Sequence, residues 1–162
     1  MDRKEELRQW LEKANSDLKV AEHLSITHHP TPDEIICFHC QQSAEKYLKA
    51  FIFYNNIEPE KTHDLEELLN VCINFKAEFS TLLTKVTRLT KYGVLPRYPN
   101  ELKITGEDMK TALNYAKNVQ KFVLKVFKEI EEELEKVAQR CQAEKGHAGV
   151  SGHAKVSVTK IL

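Results

Sequence analysis

The 162-residue sequence predicts an all-α fold, an up-and-down bundle of four to five helices with a long last helix. Three observations predict it. Glycine and proline number only five each, so few positions interrupt a helix. Charged residues make up 30% of the chain, which suits the solvated faces of amphipathic helices. Apolar residues recur at three- and four-residue spacing in segment after segment, and only Val156 and Val158 hint at strand alternation.

The first helix runs from about Arg3 to Ile26, with Leu7, Leu11, Ala14, Leu18 and Ala21 alternating by four and three and Trp10 widening the stripe. His28-His29-Pro30 ends it. Thr31-Pro32-Asp33-Glu34 has the form of a capping box, with Thr31 at the N-cap, Pro32 at the first helical position and Glu34 reaching back. The second helix then reaches about Tyr54. After the loop Asn55-Asn56-Ile57-Glu58-Pro59, Thr62-His63-Asp64 opens a short third helix carrying Leu65, Leu68, Leu69 and Cys72. A fourth spans roughly Glu78 to Lys91, with Phe79, Leu82, Leu83, Val86 and Leu89 directed inward.

The longest connection follows, Gly93 to Ile104. Thr105 and Asp108 cap the last helix, which is predicted to run to about Gln139. Its apolar positions, Met109, Ala112, Ala116, Val119, Val123, Val126 and Ile130, keep the three-four seam of near-antiparallel bundle packing. Residues 1–140 are therefore assigned to the bundle. Residues 141–162 hold three of the five glycines and are read as a disordered tail.

Charge narrows the function classes. Lys and Arg number 24, as do Asp and Glu, so any contact with nucleic acid must come from a local patch. No apolar run approaches membrane-spanning length, and Met1 leads directly into Asp2-Arg3-Lys4-Glu5-Glu6. A cytoplasmic protein with four free thiols is expected, away from any membrane. Cys37-Phe38-His39-Cys40 lacks the second ligand pair of a structural zinc site, and Cys37 and Cys40 fall on the apolar arc as small core hydrophobes. No glycine-rich phosphate loop or nucleophilic serine elbow is present, so no metal, cofactor or catalytic residue is assigned.

Two segments carry chemistry. On the second helix, Ile36, Cys40, Ala44, Tyr47, Leu48 and Phe51 share one arc, while His39, Gln42, Glu45, Lys46 and Lys49 share the other. Such side chains read phosphates, bases or a partner's polar surface. Ile35, Phe38 and Ile52 lie on or beside that polar arc, an apolar content that suits an interface. The second segment is Leu95-Pro96-Arg97-Tyr98-Pro99-Asn100. Its prolines stiffen the backbone around Arg97 and Tyr98: the guanidinium can take a phosphate bidentately or pair with a bundle carboxylate or helix-end carbonyls, and the ring can stack a base or cover core. Lys85, Arg88, Lys91 and Lys103 surround it in sequence with few acids. His39 reads as a hydrogen-bonded or exposed imidazole, with the further possibility of meeting Arg97. His63 reads as a turn residue.

Over about residues 5 to 130 the chain resembles the HEPN domain, a helical bundle of higher eukaryotes and prokaryotes with a proposed nucleotide-binding role. The resemblance rests on Trp10, Ala14, Asp17-Leu18 and Ala21, on Phe38 through Ala50 with its Gln-Gln-small-small-Glu-Lys core, on Thr62-His63-Asp64-Leu65, and on Arg97-Tyr98-Pro99. It implies a bundle that dimerises and that in prokaryotes is often encoded beside a minimal nucleotidyltransferase. Ribonuclease members carry an Arg followed four to six residues later by a His; after Arg97 no His occurs until His147. Arg97, Tyr98, Gln42, Glu45, Lys46, Lys49 and His39 therefore carry over as candidate ligand-binding residues for a nucleotide or RNA. The expected function is a non-catalytic, nucleotide- or RNA-associated dimeric domain acting with a nucleotidyltransferase-type partner. A metal-independent ribonuclease toxin with an atypical base such as His39, and a pure dimerisation or scaffold module, are the alternatives.

Overall fold

The computed structural model describes residues 2–93 and 103–147. Five α-helices follow in order: α1 (Arg3–Thr27), α2 (Asp33–Tyr54), α3 (Leu65–Phe75), α4 (Leu83–Thr90) and α5 (Gly106–His147), with a 3-10 segment, Ala77–Leu82, leading into α4. The described residues contain no strand. The chain divides into two compact units, residues 1–123 and 124–162.

In the first unit α1 and α2 lie antiparallel. Arg3 at the start of α1 donates to the Phe53 carbonyl at 2.6 Å near the end of α2, and its guanidinium stacks 4.0 Å from the Phe53 ring centre. Midway, the Ser43 hydroxyl donates to the Ala14 carbonyl at 2.8 Å. The predicted α1 stripe is the buried one, Leu7, Leu11, Ala14, Leu18 and Ala21. The α5 seam packs onto this pair: Gln120 donates to the Tyr47 hydroxyl at 2.9 Å and to Asn15 at 3.2 Å. Met109, Ala112, Ala116, Val119 and Val123 are all buried, as the three-four spacing requires.

Helix ends follow local chemistry. Asp64 caps α3 by accepting from the Glu66 and Glu67 amides. Thr105 and Asp108 form a reciprocal box at the start of α5: the Thr105 amide donates to Asp108 at 2.9 Å, and the Asp108 amide returns a bond to the Thr105 hydroxyl at 3.2 Å. After α2, Asn56 takes a left-handed φ of 63°, a conformation asparagine tolerates, and turns the chain out of the helix.

Three expectations are corrected. The capping box at α2 does not form, because the Thr31 hydroxyl bonds the Asp33 side chain at 2.6 Å and Pro32, which has no side-chain acceptor, occupies the N-cap. The fourth helix opens as the 3-10 segment. At three residues per turn Phe79 and Leu82 eclipse and bury together, which rotates Leu83 outward to 47% exposure. The last helix continues to His147, beyond the expected Gln139. Residues 148–162 of the expected tail lie outside the described residues.

Candidate functional site

The polar arc of α2 is not a solvated face. Glu45 and Lys49 are 5% and 7% exposed, and Gln41, which the arc left out, is fully buried. Helix periodicity alone places Glu45 and Lys49 outward, but the lead-in to α3 folds over them. The Thr62 carbonyl accepts from Lys49 Nζ at 3.0 Å, and the His63 carbonyl accepts from Gln41 Nε2 at 3.0 Å. Ile52 is covered as well, so the apolar content beside the polar arc reduces to exposed Ile35 and half-buried Phe38.

Glu45 is the hub. One carboxylate oxygen accepts from Lys49 Nζ at 2.8 Å. The other meets Gln41 Nε2 at 3.1 Å, His63 Nδ1 at 3.0 Å and Gln42 Nε2 at 3.4 Å. Burial pushes this carboxyl up, but the bonds from Lys49, His63 and Gln41 outweigh it and hold the group below its ordinary value. Gln42 donates to Gln41 Oε1 at 2.8 Å and accepts from Lys46 Nζ at 3.3 Å, which links the hub to a second cluster.

That second cluster centres on Asp17 of α1. His39 Nδ1 lies 2.9 Å from one of its oxygens, and Lys46 Nζ donates to the other. The imidazole is thus oriented by a carboxylate, with the Phe38 ring edge-on 5.6 Å away. Among the described residues no arginine bonds to this cluster. His63, read as a turn residue, instead closes the Glu45 hub while its side chain stays 64% exposed.

Arg97 and Tyr98 lie outside the described residues. The chain approaches that segment through Gly93, which is buried against the network: a Cβ there would stand 3.0 Å from Gln41 Nε2 and 3.3 Å from the Thr90 carbonyl. Any side chain at this position would require the Gln41 amide to give by a few tenths of an ångström. Of the lysines and arginines around the segment, Arg88 and Lys91 line a cleft of about 210 Å³ together with Tyr92 and Tyr115, and Glu107 and Asp108 share its wall. The expected basic patch is therefore mixed in charge here, because α5 brings its acidic first turn to the same place.

Three of the four thiols, Cys37, Cys40 and Cys72, are buried. Burial is the main reason that Cys37 and Cys72 are each pushed up to about 12, and Cys40 is raised by the same cause. Cys141 is exposed. No helix among the described residues is long and apolar enough to cross a membrane.

Comparison with known proteins gives consistent relatives. The model of the HEPN domain matches residues 7–137. The protein named "Putative toxin MJ1304" of Methanocaldococcus jannaschii is 32% identical over 135 residues, covering 74% of this chain and 87% of that protein. The crystal structure of ST0689, an archaeal HEPN homologue, superposes with a TM-score of 0.54 at 25% identity over 76% of this chain and 96% of its own. That of TT1696 from Thermus thermophilus gives 0.58 at 24% identity over 77% of this chain and 98% of its own, a likeness of fold. With five helices in this order, a Gln-Gln-Glu-Lys network at the centre of α2 and a family match over most of its length, the chain belongs to the HEPN domain family.

Proposed function

We propose that this chain is a nucleotide- or RNA-associated HEPN domain without turnover of its own, that it works as a homodimer, and that it acts with a nucleotidyltransferase-type partner. The observation that carries the reading is the division of the α2 polar face. Glu45 and Lys49 are closed in protein contacts, whereas His39, Gln42 and Lys46 remain half-exposed and are held in place by Asp17 and Gln41. Fixed amide, imidazole and ammonium groups at a surface suit a phosphate or a base edge, because their orientation is already set before a ligand arrives. In this reading Glu45 and Lys49 position the rim rather than touch the ligand.

Arg97 and Tyr98 are proposed as the phosphate clamp and the stacking ring. Their segment begins two residues after Gly93 in the sequence, and Gly93 packs on Gln41. The sequence has no Arg followed by His at four to six residues, which supports binding over cleavage. The test is the unfolding midpoint of the wild type and of Arg97→Ala with ATP, GTP, AMP and a short single-stranded RNA. A ligand at about 100 times its Kd stabilises the native state by about 2.7 kcal/mol, so the wild-type midpoint should rise by several degrees and that of Arg97→Ala should not. No rise with any of these ligands overturns the reading.

One observation favours a second reading. The Asp17–His39 pair is the arrangement that orients a general base, and one relative is named as a putative toxin. A metal-independent ribonuclease built on it should cleave RNA in EDTA and lose that activity in both His39→Ala and Arg97→Ala. Intact RNA after incubation with clean protein would remove this reading.

A further inference from the structure

The second unit consists, among its described residues, of the α5 helix from Leu124 to His147. Past the buried part of the seam, apolar residues continue along one stripe: Ile130, Leu134, Val137 and Cys141, spaced four, three and four. Ile130 is half-buried, but Leu134 and Val137 are 45% and 54% exposed and Cys141 is exposed. A stripe with this spacing on an already formed helix has the register of a coiled-coil seam, with Leu134 and Cys141 at a positions and Ile130 and Val137 at d positions.

Charge selects the occupant and its direction. Residues 129–135 carry Glu129, Glu131, Glu132, Glu133 and Glu135, whereas residues 136–142 carry Lys136 and Arg140 and no acid. A parallel pair of copies would place the two acidic stretches side by side, and that arrangement is repulsive. An antiparallel pair joined by a two-fold axis puts Leu134 opposite the second copy's Val137, and Ile130 opposite its Cys141. The same register lays the acidic stretch along the basic one. Glu133 and Arg140 are the g positions that flank this seam, and symmetry makes their contact twice.

We propose that the exposed stripe of α5 is a self-association surface, and that its occupant is the same stripe of a second copy running antiparallel. This deepens the homodimeric part of the proposed function and rests on that part only in requiring two copies. Helix nucleation is not a cost here, because α5 is already continuous to His147.

The experiment is sedimentation of the full chain combined with disulfide trapping. Reversing one charge, Glu133→Arg, sets two like-charge contacts per dimer and should weaken association by about tenfold. Glu133→Arg combined with Arg140→Glu should restore it. Cys37, Cys40 and Cys72 are buried, so Cys141 is the thiol available for trapping among the described residues. Mild oxidation should link Ile130→Cys to Cys141 of the second copy and leave wild type unlinked, since two Cys141 residues in this register sit about 16 Å apart at 1.5 Å per residue. A wild-type disulfide dimer would mean a parallel pair and overturns the register. A dimer that survives Leu134→Glu unchanged and resists trapping overturns the surface while sparing the homodimer. A wild type that sediments as a monomer overturns both.

Discussion

Glu45→Ala should lower the stability of the fold by about 3–5 kcal/mol, the cost typical of removing one partner of a buried ion pair. The loss is large because of what remains. Lys49, with a side chain only 9% exposed, would keep the Thr62 carbonyl but lose its counter-charge. Gln41 and His63 would each lose an acceptor in the same step. Against a total stability of about 5–15 kcal/mol, this brings the domain close to its unfolding threshold. In urea the midpoint should fall with an unchanged slope. Glu45→Leu combined with Lys49→Met removes both charges at once and should recover much of the loss. A fall below about 1 kcal/mol for Glu45→Ala would show that the network contributes little to stability.

The same carboxylate sets an acid limb. Its folded-state value lies below the ordinary 4.5, so the unfolded chain binds the proton more tightly. The stabilisation is therefore complete above the unfolded value and is lost as pH falls from about 5 through the folded value. Glu45→Gln, which keeps the shape but cannot titrate, should show a flatter dependence over that window. Parallel curves for the two proteins would assign the acid sensitivity to other carboxylates.

The bundle is legible in the sequence because its signals are local. The α1 stripe, the α5 seam and the caps at Asp64 and Thr105 depend on residues within one or two turns of each other. Apolar content places Phe79 and Leu82 inward correctly but misplaces Leu83, because it does not reveal the change from 3.6 to 3.0 residues per turn. Thr31 has the right identity for a cap, yet its hydroxyl bonds the Asp33 carboxylate instead, a competition between two local partners that a motif does not rank.

The candidate site is legible in its residues and not in its burial. Gln42, Glu45, Lys46, Lys49 and His39 do belong to one connected set, but they divide into a closed hub and a half-exposed rim. That division is made by Thr62 and His63 from the α3 lead-in and by Asp17 from α1, residues 22 or more positions distant from their partners in two of the decisive contacts. In the sequence Asp17, Gln41 and His63 stand among the family-like residues without a site role. The missing signal is tertiary: a His three residues before Gln42 on a helix does not reveal the carboxylate that will face it.

Phe79→Ala should cost about 3–5 kcal/mol, comparable to loss of Glu45 but through packing alone. Phe79 is fully buried, with its ring centre 4.4 Å from that of Phe51 in α2 and 4.9 Å, edge-on, from that of Phe122 in α5. It is also the anchor of a weak element. The 3-10 segment Ala77–Leu82 has no side-chain cap, and its turns make poorer hydrogen bonds than an α-helix, so its position depends on Phe79 and Leu82 filling the core. Truncation leaves a cavity between α2 and α5 that neither aromatic neighbour can close without leaving its rotamer. The midpoint of thermal unfolding should fall by about 10 °C or more for a domain of this size. Phe79→Leu, which keeps most of the volume, should fall by well under half as much. The exposed Leu83→Ala supplies the comparison, since it removes a similar side chain four residues on without opening the core. If Phe79→Ala lost no more than Leu83→Ala, the aromatic stack would not be what fixes the 3-10 segment, and its place in the bundle would have to come from α3 and α4 on either side.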